Sequence, residues 1–125
     1  MPADTPDACD VVLAERMAAG DIDGIVALYE PDAVLIDAAS GAPLMGHAAI
    51  RECFAAQVAA GARVECRVVE VVQSGDIALT YNDWTGSVVG PDGERTPIGG
   101  KAIEVVRRQP DGTWRFVLDD PNGRG

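Results

Sequence analysis

A chain of 125 residues with 47% hydrophobic content is sized for one domain and one core, and no stretch approaches a membrane-spanning run. Twenty acidic against ten basic residues leave a formal charge of −10. That charge argues against nucleic acid or an anionic membrane as partner, because phosphate binding needs a basic stripe.

The acidic, polar start MPADTPDACD reads as neither signal nor transit peptide. Cys9, Cys53 and Cys66 lack metal-ligand spacing and sit in apolar periodic segments. Buried, reduced thiols and a cytoplasmic location are the expectation. His47 is the single histidine, so an oxygen-rich carboxylate site is the one metal option left. No phosphate-binding glycine loop is present, and no cofactor is expected.

In chain order, Thr5-Pro6 starts a first helix with Asp7 in its first turn, and Gly20 ends it. Its apolar positions are Ala8, Val11, Val12, Ala18 and Ala19, with Leu13 and Met17 on a neighbouring stripe. Asp21 caps a second helix whose face is Ile22, Ile25, Val26 and Tyr29, stopped by Pro31. A short apolar strand, Ala33 to Ile36, closes on Asp37, and residues 38–46 read as a loop. Helix three runs from His47 to about Ala60, and Gln57 interrupts its apolar face of Ile50, Cys53, Phe54 and Val58. That amide needs a hydrogen-bond partner if buried, or else marks a partly exposed edge. His47 is read as a surface or capping residue.

From Arg63 the period changes to two. Val68-Val69 and Val71-Val72 break the alternation, by a bulge or by cover on both faces. Ile77–Val88 is a long strand, followed by the hairpin loop Gly90-Pro91-Asp92-Gly93. A second long strand, Arg95–Gln109, contains Gly99-Gly100 as a bulge or bend, and the last strand is Thr113–Leu118. Helices grouped before strands signal α+β architecture: three N-terminal helices packed on a strongly curved antiparallel sheet, open at one end. Residues 1–125 form one domain, with loose ends expected near 1–4 and 121–125.

This order of elements resembles the nuclear transport factor 2-like superfamily. The segments ALYEPDAVLID and GHAAIRE resemble the ketosteroid isomerase pattern. The half from DIALTYNDWTG to RFVLDDPNG is similar to small SnoaL-like bacterial domains. The resemblance covers about Gly20 to Gly123. It implies Asp37 at the position of the isomerase general base and Glu104 near that of the protonated oxyanion-hole acid. Leu13 stands where those enzymes carry a tyrosine donor, so a competent steroid isomerase is not expected.

With Glu104 pointing in, Ala102, Val106 and Arg108 share its face. The same alignment turns Ile77, Leu79, Tyr81 and Asp83 inward and Ala78, Asn82 and Trp84 outward. The expected catalytic residues are Asp37, Glu104 and Asp83; Tyr81, Gln57, Leu13, Met17, Val117 and Asp119 are expected to bind substrate. Clustered carboxylates in low dielectric cannot all ionise, which suits proton removal next to a carbonyl or activation of water. The bland alternative for Asp83 and Glu104 is a solvated face, or ion pairs with Arg107, Arg108 or Arg115.

The last strand admits two facings. Hydrophobicity buries Trp114 and Phe116, whereas the family alignment places Arg115, Val117 and Asp119 in the pocket. The second facing exposes aromatics and implies a homodimer through the outer sheet face. Two functions stay open: a small-molecule lyase, isomerase or hydrolase acting by carboxylate acid–base chemistry on a hydrophobic small molecule, or a non-catalytic ligand-binding or dimerisation module.

Overall fold

The computed structural model describes residues 2–125. Helices α1 (Ala8–Ala19) and α2 (Ile22–Val26) precede strands β1 (Tyr29–Ile36) and β2 (Pro43–Met45). Helix α3 (Gly46–Ala59) follows, then β3 (Arg63–Ser74), β4 (Ile77–Val89), β5 (Arg95–Arg108) and β6 (Trp114–Asp120). The architecture is α+β: six strands in the order β2-β1-β6-β5-β4-β3, with α1 packed over β3 and β6 and α3 against β1. Every pairing is antiparallel except β1–β6, which is parallel because β1 enters from the helical layer rather than from a hairpin.

Local chemistry sets most boundaries. Gly20 adopts φ 67° and closes α1, with Asp21 N–H bonding to the Arg16 carbonyl at 2.9 Å. Asp21 caps α2 by accepting from Gly24 N–H at 2.9 Å. Tyr29 does not extend α2. It opens β1 and is fully buried, and Pro31 lies inside the strand on an exposed stretch where no ladder bond is needed. Residues 43–45, expected as loop, form β2 by pairing Leu35 with Leu44 on the sheet edge.

Two bulges decide which side chains enter the core. Between Val68 and Glu70 the β3–β4 register shifts, leaving Val69 as the extra residue. Between Val105 and Val106 the β5–β6 register shifts, leaving Val117 extra on β6. Phe116 and Asp119 therefore both point inward, although three positions apart, and Leu118 points out. Each of the two facings foreseen for β6 holds for half of the strand.

The facing of β4 is opposite to expectation. Ala78, Thr80 and Asn82 are buried, while Ile77 is exposed and Leu79, Tyr81 and Asp83 are half-buried on the outer face. Arg108 reaches the inward face of Glu104 only at the end of the sheet: it is cross-strand to the buried Trp114, lies over its ring, is exposed and pairs with Asp76. On α1, Val11 is exposed, and the buried stripe is Cys9, Asp10, Val12, Leu13 and Met17.

Gly99-Gly100 makes no bulge, since the β4–β5 register runs unbroken through Trp84 and Gly100. A Cβ on Gly100 would sit 2.3 Å from Asn122 Oδ1 and 2.6 Å from the Pro121 carbonyl. The glycine is needed because the tail lies directly on β5. Residues 121–125, expected loose, are tied down: Trp84 Nε1 donates to the Pro121 carbonyl at 2.8 Å, and Arg124 N–H to the Lys101 carbonyl at 3.0 Å. At the other end Ala3 is buried and its carbonyl accepts from Trp114 N–H at 2.8 Å. Gly100→Ala is therefore expected to destabilise the fold by about 1–3 kcal/mol, read as a lower urea midpoint; an unchanged midpoint would show that the tail moves aside freely.

Candidate active site

The floor of the site is a row across three strands. Register places Thr80 (β4) opposite Glu104 (β5), and Glu104 opposite Asp119 (β6). Thr80 Oγ1 donates to Glu104 Oε1 at 2.9 Å, and the Tyr29 hydroxyl at the start of β1 donates to Asp119 Oδ2 at 2.5 Å. Asp10, one helical turn before Leu13 on α1, closes the cluster from above. Asp10, Glu104 and Asp119 are 0%, 2% and 4% exposed.

These carboxyls line a cavity of about 80 Å³. Its remaining wall is largely apolar, with Leu13, Met17, Leu35 and Phe54 prominent. Asn82, Gln57, Cys53 and Cys66 add the other polar atoms, and Trp84 and Pro121 close one side. Gln57 donates to Cys53 Sγ at 3.4 Å, which gives the amide in the apolar face of α3 a partner. Asn82 Oδ1 accepts from Arg67 N–H at 3.0 Å.

Burial dominates the electrostatics. Desolvation pushes Asp10 up to about 6 and Asp119 to about 7, and holds Glu104 well above the usual carboxylate range. Glu104 is the proton holder. Thr80 donates to one of its oxygens, and a proton on the carboxyl can be given to Asp10 or Asp119, each of which lies within hydrogen-bonding reach. With all three ionised, neither Asp10 oxygen has a donor. The three carboxyls therefore titrate as one unit. The cavity thiol Cys66 and the core thiol Cys9 are each pushed to about 12, chiefly by burial, which makes them poor nucleophiles.

Of the residues expected from sequence, the cavity brings together Glu104, Asp119, Gln57, Leu13 and Met17. Asp37 lies outside it. Its carboxylate accepts from Ser40 Oγ at 2.7 Å, which holds its pKa below the ordinary value, and its backbone closes the turn to Gly41 and Ala42. Asp83 and Tyr81 face the outer surface, where Arg124 bonds Asp83 at 2.7 Å and lies over the Tyr81 ring. Val117 is the bulge residue of β6 and lines no part of the cavity. His47 is half-buried, its Nε2 2.7 Å from the Tyr29 carbonyl.

Asp10, Tyr29, Thr80, Asn82 and Trp84 were not expected at the site. Asp10 carried a legible signal, since its i+3 and i+7 neighbours are Leu13 and Met17. Among the described residues no His, Cys, Asp and Glu cluster is arranged to hold a metal ion, and no helix is long and apolar enough to cross a membrane.

A SnoaL-like domain family model matches residues 12–117. No curated protein sequence matches the chain. Among solved structures, a ketosteroid isomerase-like protein from Erwinia carotovora atroseptica superposes with TM-score 0.79 at 20% identity, over 91% of this chain and 89% of that one. An NTF2-like protein with a cystatin-like fold from Novosphingobium aromaticivorans gives 0.74 at 19%, over 90% and 75%. An epoxide hydrolase/cyclase-like enzyme of pyran ring formation in salinomycin gives 0.70 at 21%, over 91% and 86%. These likenesses establish the cone-shaped fold.

The cluster sets the pH dependence of stability. Asp10 and Asp119 bind protons more tightly in the folded chain than at their unfolded value of 3.8, so their contribution is present below that pH and is lost as pH rises through about 6 and 7. Asp37 acts in the opposite sense, its contribution being lost as pH falls below 3.8. Melting temperature is expected to peak near pH ~4–5 and to decline toward pH 8, as the unfolding free energy drops by about 1.4 kcal/mol per pH unit for each proton taken up on folding. Glu104→Gln flattens the decline; a flat wild-type profile from pH 5 to 8 would contradict the buried cluster.

Proposed function

The chain belongs to the SnoaL-like domain family, and from that premise we propose that it is a small-molecule acid–base catalyst of isomerase or cyclase type. The fold is one that serves isomerase-like, cyclase-like and ligand-binding roles. The observation that carries the catalytic reading is a neutral Glu104 flanked by Asp10 and Asp119 in the wall of one apolar cavity. A carboxylic acid kept protonated at neutral pH can donate to a substrate oxygen as negative charge develops there. A carboxylate with a pKa near 6 or 7 is matched to taking a proton at neutral pH.

In this reading Glu104 donates to a carbonyl or epoxide oxygen. Asp10 or Asp119 removes the proton from the adjacent carbon, or from a hydroxyl that then attacks the epoxide. Tyr29 fixes Asp119, Thr80 fixes Glu104, and Leu13, Met17 and Phe54 hold the hydrophobic body of the substrate. Asp37 has no part in it.

Deuterium uptake from D2O at the α-carbons of a panel of small cyclic ketones, followed by NMR, tests the reading. Wild type should exchange at least one member above the buffer rate. Glu104→Gln and Asp10→Asn should each lower that rate by about 10²–10⁴-fold, with Asp37→Asn within about twofold of wild type. Equal exchange in wild type and Glu104→Gln would remove the catalytic claim.

We also infer a homodimer through the outer sheet face, on a ground other than outward-facing aromatics. Trp114 and Phe116 are in the core and Trp84 lines the cavity, so they call for no partner. An apolar row nonetheless crosses the outer face in register: Val72, Leu79, Val105, Leu118 and Val34. Two residues to one side stand Arg107 and Arg115, and to the other Glu70 and Asp120. A twofold axis along the row lays Asp120 of one copy against Arg115 of the other. Light scattering should give twice the chain mass, and Leu118→Arg should shift it to monomer; a monomeric wild type at high micromolar concentration would end this inference.

A further inference from the structure

Counting hydrogen-bond donors against carboxyl oxygens shows that the cavity is incomplete. Tyr29 donates to Asp119 and Thr80 to Glu104. Asp10 is fully buried, and the one protein donor within reach of its oxygens is the Glu104 proton, which Asp119 also reaches, so at least one Asp10 oxygen is left without a donor. Buried carboxylate oxygens without donors are costly and rare, so something absent from the chain completes this one.

The charge count points the same way. Three carboxyls line the cavity and no Lys, Arg or His does. The ion pairs found among the described residues lie elsewhere: Arg51–Asp23, Arg107–Glu30, Arg108–Asp76 and Arg124–Asp83. The surrounding field is negative as well, since the chain carries a formal charge of −10. Protons alone relieve part of this, through Glu104, but one proton cannot serve both Asp10 and Asp119.

The remaining wall narrows the kind of group that fits. Phe54 and Trp84 line the cavity, and Trp84 is held by its bond to the Pro121 carbonyl. Aromatic faces attract cations as carboxylates do. A metal ion is not that cation, because no carboxyl group set among the described residues is arranged to hold one. A hydroxyl brings one donor and no charge, whereas an ammonium brings three donors and the missing positive charge.

We propose that the ligand of this cavity is a small amphipathic amine, its ammonium group bonded to Asp10 and its apolar body against Leu13, Met17 and Phe54. The inference rests on reading this cavity as the substrate site, and adds the charge of the molecule that fills it. A cavity of about 80 Å³ limits the body to a few carbons beyond the nitrogen. Asp10 then serves as the counter-ion that positions the substrate, leaving Asp119 and Glu104 as base and acid.

Isobutylammonium, isobutanol and isobutyrate share one body and differ in charge, so they separate the possibilities. Each is titrated into the full-length wild-type chain at pH 7, with the Leu13 and Met17 methyl resonances as readout. The amine should saturate these shifts at about tenfold lower concentration than the alcohol, and the carboxylate should leave them unmoved. Asp10→Asn should bring the amine to the affinity of the alcohol without changing alcohol binding. Asp10→Asn also removes a buried charge, so where that variant fails to fold, the wild-type ratio of amine to alcohol decides alone.

Alcohol binding as tight as the amine would overturn the amine inference, as would an Asp10→Asn variant that keeps amine affinity. In either case the ketone exchange and its loss in Glu104→Gln would stand, leaving an acid–base site for neutral substrates. Failure of all three probes to bind would also overturn it. A flat pH profile together with absent exchange would remove the acid–base reading separately.

Discussion

One buried proton constrains this molecule. Glu104 sits on a central strand, 2% exposed, with Asp119 opposite it on one neighbour and Thr80 on the other, and Asp10 above. Ionising all three carboxyls in that environment would set like charges in low dielectric with too few donors. The cluster is therefore stable only with protons shared among its members. Such a cluster weakens the fold while preparing a site, the exchange expected where function sets the local structure.

Three independent features deliver the three carboxyls. The α1 stripe of Cys9, Asp10, Val12, Leu13 and Met17 rotates Asp10 toward the sheet. Strand alternation alone brings Glu104 inward between Ala102 and Val106. Asp119 needs the bulge at Val117, without which, three residues on from the inward Phe116, it would fall on the outer face. Tyr29 joins them only because β1 begins two residues earlier than a proline-stopped helix would allow.

Much of the architecture was legible in the sequence, because the helix stops, the change of period at Arg63 and the turn residues each have a local cause. The site was legible in part. Glu104 and Asp119 were reachable by pattern and resemblance, as were Leu13, Met17 and Gln57. Asp10 was passed over because its acidity was read with the polar start of the chain, although its spacing to Leu13 and Met17 places it on the buried stripe. The β4 facing inverted because an inward Glu104 was aligned with Asp83 and Tyr81, whereas the cross-strand partner of Glu104 is Thr80. Facing between strands depends on register, which no single strand encodes. Asp37 shows the ambiguity of such a pattern, since a carboxylate at the end of an apolar strand also suits the Asx-type turn that it makes with Ser40.

The placement of Asp37 separates the sequence pattern from the cavity. The position that the ketosteroid isomerase resemblance implies for a base directly follows β1. Here that position caps a surface turn, and neighbours Ile36 and Ala38 line the cavity instead. The proposed base is instead Asp10 on α1 or Asp119 on β6, each within hydrogen-bonding reach of Glu104. In the proposed mechanism Glu104 is the donor to the substrate oxygen, with Leu13 at the position where the resemblance implies a tyrosine. Leu13 and Asp10 thus stand one helical turn apart on the same cavity wall, and that wall offers an apolar surface and a carboxyl where the family pattern has a phenol.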